Sequence, residues 1–376
     1  MVEAMANGIQ DRLIDGLSFK LAPGPSYVTE RKSATFYAQG SNVYSPTAGT
    51  KLIRMTFTGD HWLDPSTVRI MFDLANTESS SGVTAPGPGL YPSVTTKMLR
   101  PLGGPWVFFL KRVWVLCGTQ LVEDIDTYNR CHQLMHNLTA KHSRLNDYAE
   151  NFGFTSPNIK DLNNPGLLQG ILPGESQTVL FKPLCGLFSQ NKYIPLRYCP
   201  ITLEMELVDD PNEPVVAPVA VANYDINNFP FTVTNTTSSW QIQQVQAKMD
   251  LCTLDSALDN SYAAHLLSGK ALPINYSTWV SQNQMIVGQD LQVNVTRALT
   301  RFKGFFFSLD KNAPQSTDAV KGRLAWWRRK WNDFFIPLAE NNLYGTTASL
   351  ADGEFITRLQ IGSKIFPEMD MRSHSE

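Results

Sequence analysis

Residues 178–208 constrain this chain most, because they hold two short strand-like blocks whose ends are fixed by proline. The first block reads Thr178-Val-Leu-Phe-Lys-Pro-Leu-Cys-Gly-Leu-Phe, and after a polar turn the second runs from Ile194 to Val208. In the second, Ile201, Leu203, Met205 and Leu207 alternate with Thr202, Glu204 and Glu206. A period of two puts one apolar face inward and one acidic face outward, the pattern of an antiparallel sheet with one wet side. Proline cannot donate to a ladder, so Pro183, Pro195 and Pro200 belong at strand ends, edges or bulges. Two Pro-bounded strands about a polar turn suit the corner of a β-sandwich.

The same alternation recurs along the chain. Ile53, Met55 and Phe57 alternate with Arg54, Thr56 and Thr58, and Val68, Ile70, Phe72 and Leu74 with Arg69, Met71 and Asp73. A Trp62-Leu-Asp-Pro65 corner is expected between these two strands. Residues 76–105 are rich in Ser, Gly and Pro and read as a surface loop, followed by a long apolar strand over 106–117. A helix is expected from Asp124 or Asp126, with Tyr128, Cys131, Leu134, Met135, Leu138, His142 and Leu145 as its apolar stripe. After a Pro- and Val-rich connection, the order repeats. Val245, Ala247, Met249 and Leu251 form a strand, and a helix starts at about Asp255, aligns Leu258, Tyr262 and Leu266, and stops at Gly269. Further strand blocks fall at 291–309 and 355–366.

With 376 residues, 43% of them hydrophobic, the chain exceeds what one compact domain usually holds, so two domains are expected. The divisions are an N-terminal arm (1–32), a first sandwich (33–210), a connection (211–237) and a second sandwich (238–376) that is shorter and open to lacking its last strands. The arm carries an amphipathic stripe, Ile9, Leu13, Ile14 and Leu17, that can reach a neighbouring subunit. Charge is close to balanced, with 32 Lys and Arg against 34 Asp and Glu, so bulk electrostatics announce neither a nucleic-acid nor a membrane partner. Five cysteines without a C-x-x-C pair point to reduced thiols. No signal peptide and no membrane span are expected.

The chemistry-bearing motifs are few. His132 and His136 have the i, i+4 spacing of a metal-binding helix, but the segment lacks the Glu of a zinc-protease helix and a third ligand. Glu204 and Glu206 share an outward face, as glycosidase carboxylates would, and a solvated strand explains them equally. No phosphate loop or nucleophile elbow is present, so the chain reads as non-enzymatic, with no cofactor and no metal. One patch stands apart: Trp326, Trp327, Arg328, Arg329, Lys330 and Trp331 place aromatic faces beside cations. Leu324, Trp327, Trp331, Phe334 and Phe335 are also at helical spacing, so the patch is open to three readings: a buried helix face, a protein interface, or a surface for nucleic acid or lipid.

The run Pro183-Leu-Cys-Gly-Leu-Phe-Ser-Gln-Asn-Lys-Tyr-Ile-Pro-Leu-Arg-Tyr-Cys-Pro-Ile-Thr-Leu-Glu resembles the end of the first jelly roll in double jelly-roll major capsid proteins of eukaryotic double-stranded DNA viruses. That group includes nucleocytoplasmic large DNA viruses, virophages and Polinton-like viruses. Ile194-Pro-Leu196 and residues 198–207 occupy the places of the family's proline-bounded strand start and alternating strand, whereas its aromatic cluster is reduced here to Leu187 and Phe188. Its usual acidic or histidine pair is Cys199-Pro200 in this chain. By element order the resemblance extends over residues 17–368. It implies an all-β chain of two tandem antiparallel β-sandwiches with short inserted helices. It also implies a homotrimeric, pseudo-hexagonal capsomer in an icosahedral virion, made inside the host cell. Its partners would be copies of itself and other capsid proteins such as a penton or minor capsid protein. The competing readings are a carbohydrate-binding or carbohydrate-active β-sandwich, which would call for a signal peptide or disulfides, and a nucleic-acid module resting on residues 321–330 alone.

Overall fold

Alternation with one apolar face commits most of this chain to strands, and the computed structural model organises them into two main antiparallel sheets. The described residues are 28–47, 50–79, 97–101, 103–138, 170–215, 236–284, 292–295, 301–308 and 356–372. In chain order the elements are β1 (Val28–Tyr37), β2 (Val43–Tyr44), β3 (Leu52–Phe57), β4 (Trp62–Asn76), β5 (Phe109–Cys117), β6 (Gln120–Asp126) and α1 (Tyr128–Leu138). They continue with β7 (Ser176–Phe181), β8 (Ile194–Pro195), β9 (Ile201–Leu207), β10 (Trp240–Leu254), α2 (Ser256–Leu267), β11 (Ile356–Ile361) and β12 (Lys364–Arg372).

The first sheet has the order β1-β10-β4-β7, with β2 added to β10 and β8 to β4; the second has the order β3-β9-β5-β6. Counting only the eight long strands from β1 to β10, this is first-eighth-third-sixth facing second-seventh-fourth-fifth, the strand order of a jelly roll built from two Greek keys. Between the sheets, Ile53, Met55 and Phe57 of β3, Ile70, Phe72 and Leu74 of β4, and Ile201, Leu203 and Leu207 of β9 are fully buried. Phe72 meets Phe109 edge-on at 5.3 Å, and Phe109 stacks on Phe181 at 5.6 Å, so the centre is filled by rings from both sheets. Each such side chain contributes about 1.5–3 kcal/mol of burial.

The two blocks within 178–208 keep their alternation and meet at a sandwich corner as expected, with β7 joined to β4 in the first sheet and β9 lying between β3 and β5 in the second. Alternation specifies a face and not a partner, and the Pro-bounded corner crosses from one sheet to the other. Several expectations are corrected. Trp62-Leu-Asp-Pro65 is no corner, because β4 runs straight through it with a bulge. There the Asp64 carboxylate accepts from the Ser66 N–H (3.2 Å) and hydroxyl (2.7 Å), and the Thr67 hydroxyl accepts from the Asp250 N–H (2.9 Å), which supplies the bonds the ladder omits. The strand expected over 106–117 starts with a 3-10 turn, Pro105–Phe108. Its Pro105 start favours the turn, and β5 begins at Phe109.

The helix expected from Asp124 or Asp126 begins only at Tyr128, since Gln120–Asp126 is a strand hairpinned onto β5 through Gly118 (φ 62°). Asp124 and Asp126 point to Arg112 at 3.7 Å each and are not helix-start charges. The buried side of α1 is also different: Tyr128, Asn129, His132 and Gln133 are buried, while Leu138 is exposed. Helix α2 agrees with its expectation, capped by the Asp255 carboxylate on the Ala257 N–H and ended at Gly269 (φ 79°). Strand β10, grouped with the second half in the sequence reading, runs between β1 and β4 as the central strand of the first sheet. Beyond it, the described residues hold α2 and the hairpin β11–β12; 292–295 and 301–308 carry no strand. The remainder of the expected second sandwich lies outside the described residues.

Candidate assembly surface

The edges of a sheet decide what it can join, because they carry unpaired backbone groups. In the second sheet β6 is an edge, and residues 272–281 lie along it in the same chain direction. The Tyr276 hydroxyl donates to the Val122 carbonyl (3.0 Å), the Thr278 hydroxyl to the Glu123 carboxylate (3.5 Å) and the Ser281 hydroxyl to the Asp126 carbonyl. Ile274, Tyr276 and Trp279 pack against the core, and the Lys192 ammonium donates to the Pro273 carbonyl at 3.1 Å. This strap covers an edge that would otherwise template pairing with another chain.

Glu123 is the anchor under the strap. Glu123 is 2% exposed, and its carboxylate accepts the backbone N–H groups of Gly186 (2.9 Å) and Leu187, which belong to the turn between β7 and β9. Burial pushes its carboxyl up, and these two N–H groups work against that shift. Gly186 has no room for a side chain, because a Cβ would sit 2.7 Å from the Ser277 carbonyl carbon and 3.0 Å from Tyr276 Cδ2.

The His132 and His136 pair, considered as metal ligands from spacing, belongs to a packed cluster. His132 stacks on Trp106 at 4.2 Å and 13°, and His136 tilts against the same ring at 4.8 Å. The Leu184 N–H donates to the Tyr128 hydroxyl (2.8 Å), and that hydroxyl shares a second hydrogen bond with His132 Nδ1 at 3.0 Å. Burial, with His136 beside it, pulls His132 down to about 3. Trp106 Nε1 donates to Gln133 at 2.9 Å, which completes the contact between α1 and the 3-10 turn before β5. Among the described residues no cluster of three His, Cys, Asp or Glu is placed to hold a metal. Glu204 pairs with Arg54 across β3 and β9 at 2.8 Å, while Glu206 stands half-buried on the same outward face.

On the outer side of the first sheet, Arg31 of β1 bridges Asp250 of β10 (2.8 Å) and Asp64 of β4 (2.7 Å), tying three strands together. Next to it Trp62 Nε1 donates to Asp259 (2.9 Å) and the Trp62 ring meets Tyr262 at 5.1 Å, which docks α2 on the sheet although none of its residues is buried. Among the described residues, exposed apolar side chains include Phe302, Phe305, Phe306 and Phe307, and Ile356, Ile361, Ile365, Phe366 and Met369 of the hairpin, the last 82% exposed. The sequence-predicted arm (Ile9, Leu13, Ile14, Leu17) and patch (Trp326, Trp327, Arg328, Arg329, Lys330, Trp331) lie outside the described residues. Sequence reasoning missed the strap and Glu123. The alternation of Leu272, Ile274 and Tyr276 was the available signal for the strap. No helix among the described residues is long and apolar enough to cross a membrane.

No family model and no curated protein matches this chain. Among solved structures, it is similar to PBCV-1 VP54 fitted into a reconstruction of the virophage Sputnik, at 10% identity and a TM-score of 0.39, covering 65% of this chain and 48% of that one. The Sputnik virophage structure gives 12% identity and a TM-score of 0.39, covering 64% and 51%. The Faustovirus major capsid protein gives 10% and 0.34, covering 67% and 59%. The chain thus spans about half the length of the structures it matches.

Proposed function

We propose that this chain is a structural capsid protein: a double jelly-roll subunit that associates as a homotrimer, forms pseudo-hexagonal capsomers and tiles an icosahedral virion. The observation that carries the reading is the strand order β1-β10-β4-β7 facing β3-β9-β5-β6, with an interior packed by Phe57, Phe72, Phe109, Phe181 and Phe188. Jelly rolls of this kind serve as capsid, lectin and cupin domains. A cupin keeps its chemistry inside the barrel, and here that space is taken by aromatic rings. What such a body offers is shape, with its loops and edges available for contact.

On this reading the first sandwich extends through Leu254, α2 begins the passage to the second unit, and the hairpin β11–β12 belongs to that second unit. Two sandwiches in one chain make a pseudo-twofold block, and three such blocks about a threefold axis make a six-sided tile. The apolar side chains of Phe302, Phe305, Phe306 and Phe307 and of the hairpin support contacts of this sort, since open apolar surface of that extent marks places of association. Obligate interfaces bury on the order of 2,000 Å² or more. The partners are further copies of the chain and other capsid proteins, and the location is the virion.

Light scattering on the purified chain, with negative-stain imaging, tests the proposal. A mass three times that of the chain, or larger closed particles with six-sided units, is expected. A monomer at all concentrations that binds or hydrolyses glycans would overturn it in favour of a carbohydrate-directed sandwich.

A further inference from the structure

Residues 272–281 sit on the second sheet as a bound segment and not as one of its strands. Among the described residues no backbone-to-backbone hydrogen bond joins them to β6. They are held through side chains instead, with the Tyr276 hydroxyl on the Val122 carbonyl (3.0 Å) and the Ser281 hydroxyl on the Asp126 carbonyl. Exposure alternates along the strap: Leu272, Ile274 and Tyr276 are half-buried, while Pro273, Asn275 and Ser277 are exposed. That is an extended segment with one face down. The seat beneath it is shaped to match, since Gly186 leaves room for the Ser277 carbonyl where any Cβ would collide with it. Edge, turn and Glu123 together make a receptor for one extended stretch of chain.

The connection that brings the strap to this seat is lightly attached. Strand β10 ends at Leu254, and α2 follows with none of its 12 residues buried, docked on the first sheet through the Trp62 contacts to Asp259 and Tyr262. Residues 267–271, between the helix and the strap, are all exposed. Helix and strap measure about 18 Å and about 33 Å, against a width of roughly 20 Å for a four-stranded sheet, so this arm is long enough to reach past the edge of its own sandwich.

We propose that in the assembled trimer the strap of each copy lies on β6 of the neighbouring copy, in the seat that its own strap occupies in the single chain. This inference rests on the capsid reading, because it is the threefold assembly that sets a second seat beside each arm. A threefold ring requires each subunit to carry two different surfaces that fit each other, one given and one received. The strap and the β6 seat are such a pair, already fitted in this chain. Exchange remakes the same contacts, Tyr276 on Val122, Thr278 on Glu123 and the close approach at Gly186, so it forfeits none of them. Each copy then gives one strap and takes one, and the ring closes with every β6 edge covered.

The test is a photo-crosslink in the full chain, with p-benzoylphenylalanine in place of Tyr276, an aromatic replacement whose ketone falls beside β6. Trp279, which packs against the same core, is the second position should the first give little folded protein. Light scattering before irradiation reports whether the trimer is present. Irradiated trimer should give products of two and three chain masses on a denaturing gel, and digestion should map the link from the strap to residues 120–126. A trimer whose cross-linked product stays at one chain mass overturns the exchange and leaves the capsid reading standing. A monomer by light scattering overturns the capsid reading and the exchange with it.

Discussion

Replacing Gly186 with Ala tests whether the strap over β6 is held by close fit. The added Cβ would lie 2.7 Å from the Ser277 carbonyl carbon and 3.0 Å from Tyr276 Cδ2, well inside contact distance, and the nearer group is backbone that cannot swing aside. Either the strap lifts or the turn carrying Gly186 and Leu187 withdraws from Glu123. Lifting removes the Tyr276 to Val122 bond and the Thr278 to Glu123 bond and exposes the half-buried Ile274, Tyr276 and Trp279. Overpacking of this kind costs about 1–3 kcal/mol, and the lost Tyr276 bond adds about 1 kcal/mol. Withdrawal instead strips N–H partners from the carboxylate of Glu123, a residue 2% exposed, a cost of similar size. Urea unfolding of Gly186→Ala should therefore show a loss of about 2–4 kcal/mol, and limited proteolysis should open new cleavage within residues 270–284. Gly118→Ala is the comparison: nothing stands within 4 Å of its Cβ, so only its left-handed backbone is strained (φ 62°), and cleavage within 270–284 should not change. A Gly186→Ala protein within about 0.5 kcal/mol of wild type and with unchanged cleavage would refute the close-fit argument.

Two further predictions concern the helices. His132 is held neutral and its folded value, about 3, lies below the ordinary 6.5, so the unfolded chain binds the extra proton between those values. Its contribution is complete above about pH 6.5 and is lost as pH falls through that window, amounting to about 2 kcal/mol at pH 5. Glu123, pushed up by burial, acts in the opposite sense, being lost as pH rises, but is common to wild type and His132→Gln. The difference in unfolding free energy between these two proteins, measured from pH 7.5 to 5, should narrow by about 2 kcal/mol, and a pH-independent difference would contradict the assignment. Trp62→Phe keeps a ring against Tyr262 but removes the bond to Asp259. Amide exchange over residues 256–267 should accelerate about 5–30-fold while β10 remains protected, and uniform acceleration of both would show that α2 is not docked through this residue.

Sequence reading recovered those parts of the fold in which one face is buried and the other wet. Residues 53–57, 68–74, 201–207 and 245–251 alternate because water touches only one side of each, and every apolar residue expected to face inward is buried. The start of α2 was legible for a different reason, since Asp255 and Gly269 meet local backbone needs that require no tertiary context. Pairing was not legible. Nothing in the alternation of β7 and β9 says that they belong to opposite sheets, or that β10 sits between β1 and β4, because partner choice depends on contacts far apart in sequence. Strand β6 was hidden by its acids, which resemble a helix start until Arg112 is placed beside Asp124 and Asp126. In α1, aromatic stacking by Trp106 buries His132 and leaves Leu138 outside, reversing the order that hydropathy assigns. Glu123 escaped because its partners, at 186, 187 and 278, arrive from distant turns.

The placement of β10 has a consequence for synthesis on the ribosome. Strands β1 and β4 border each other only through β10, so a nascent chain that has emerged as far as β9 has the second sheet's strands in hand while the first still lacks its middle. Until residue 254 clears the exit tunnel, those inner faces stay open to solvent and to other growing chains, and the last strand must slide between two that have waited for it.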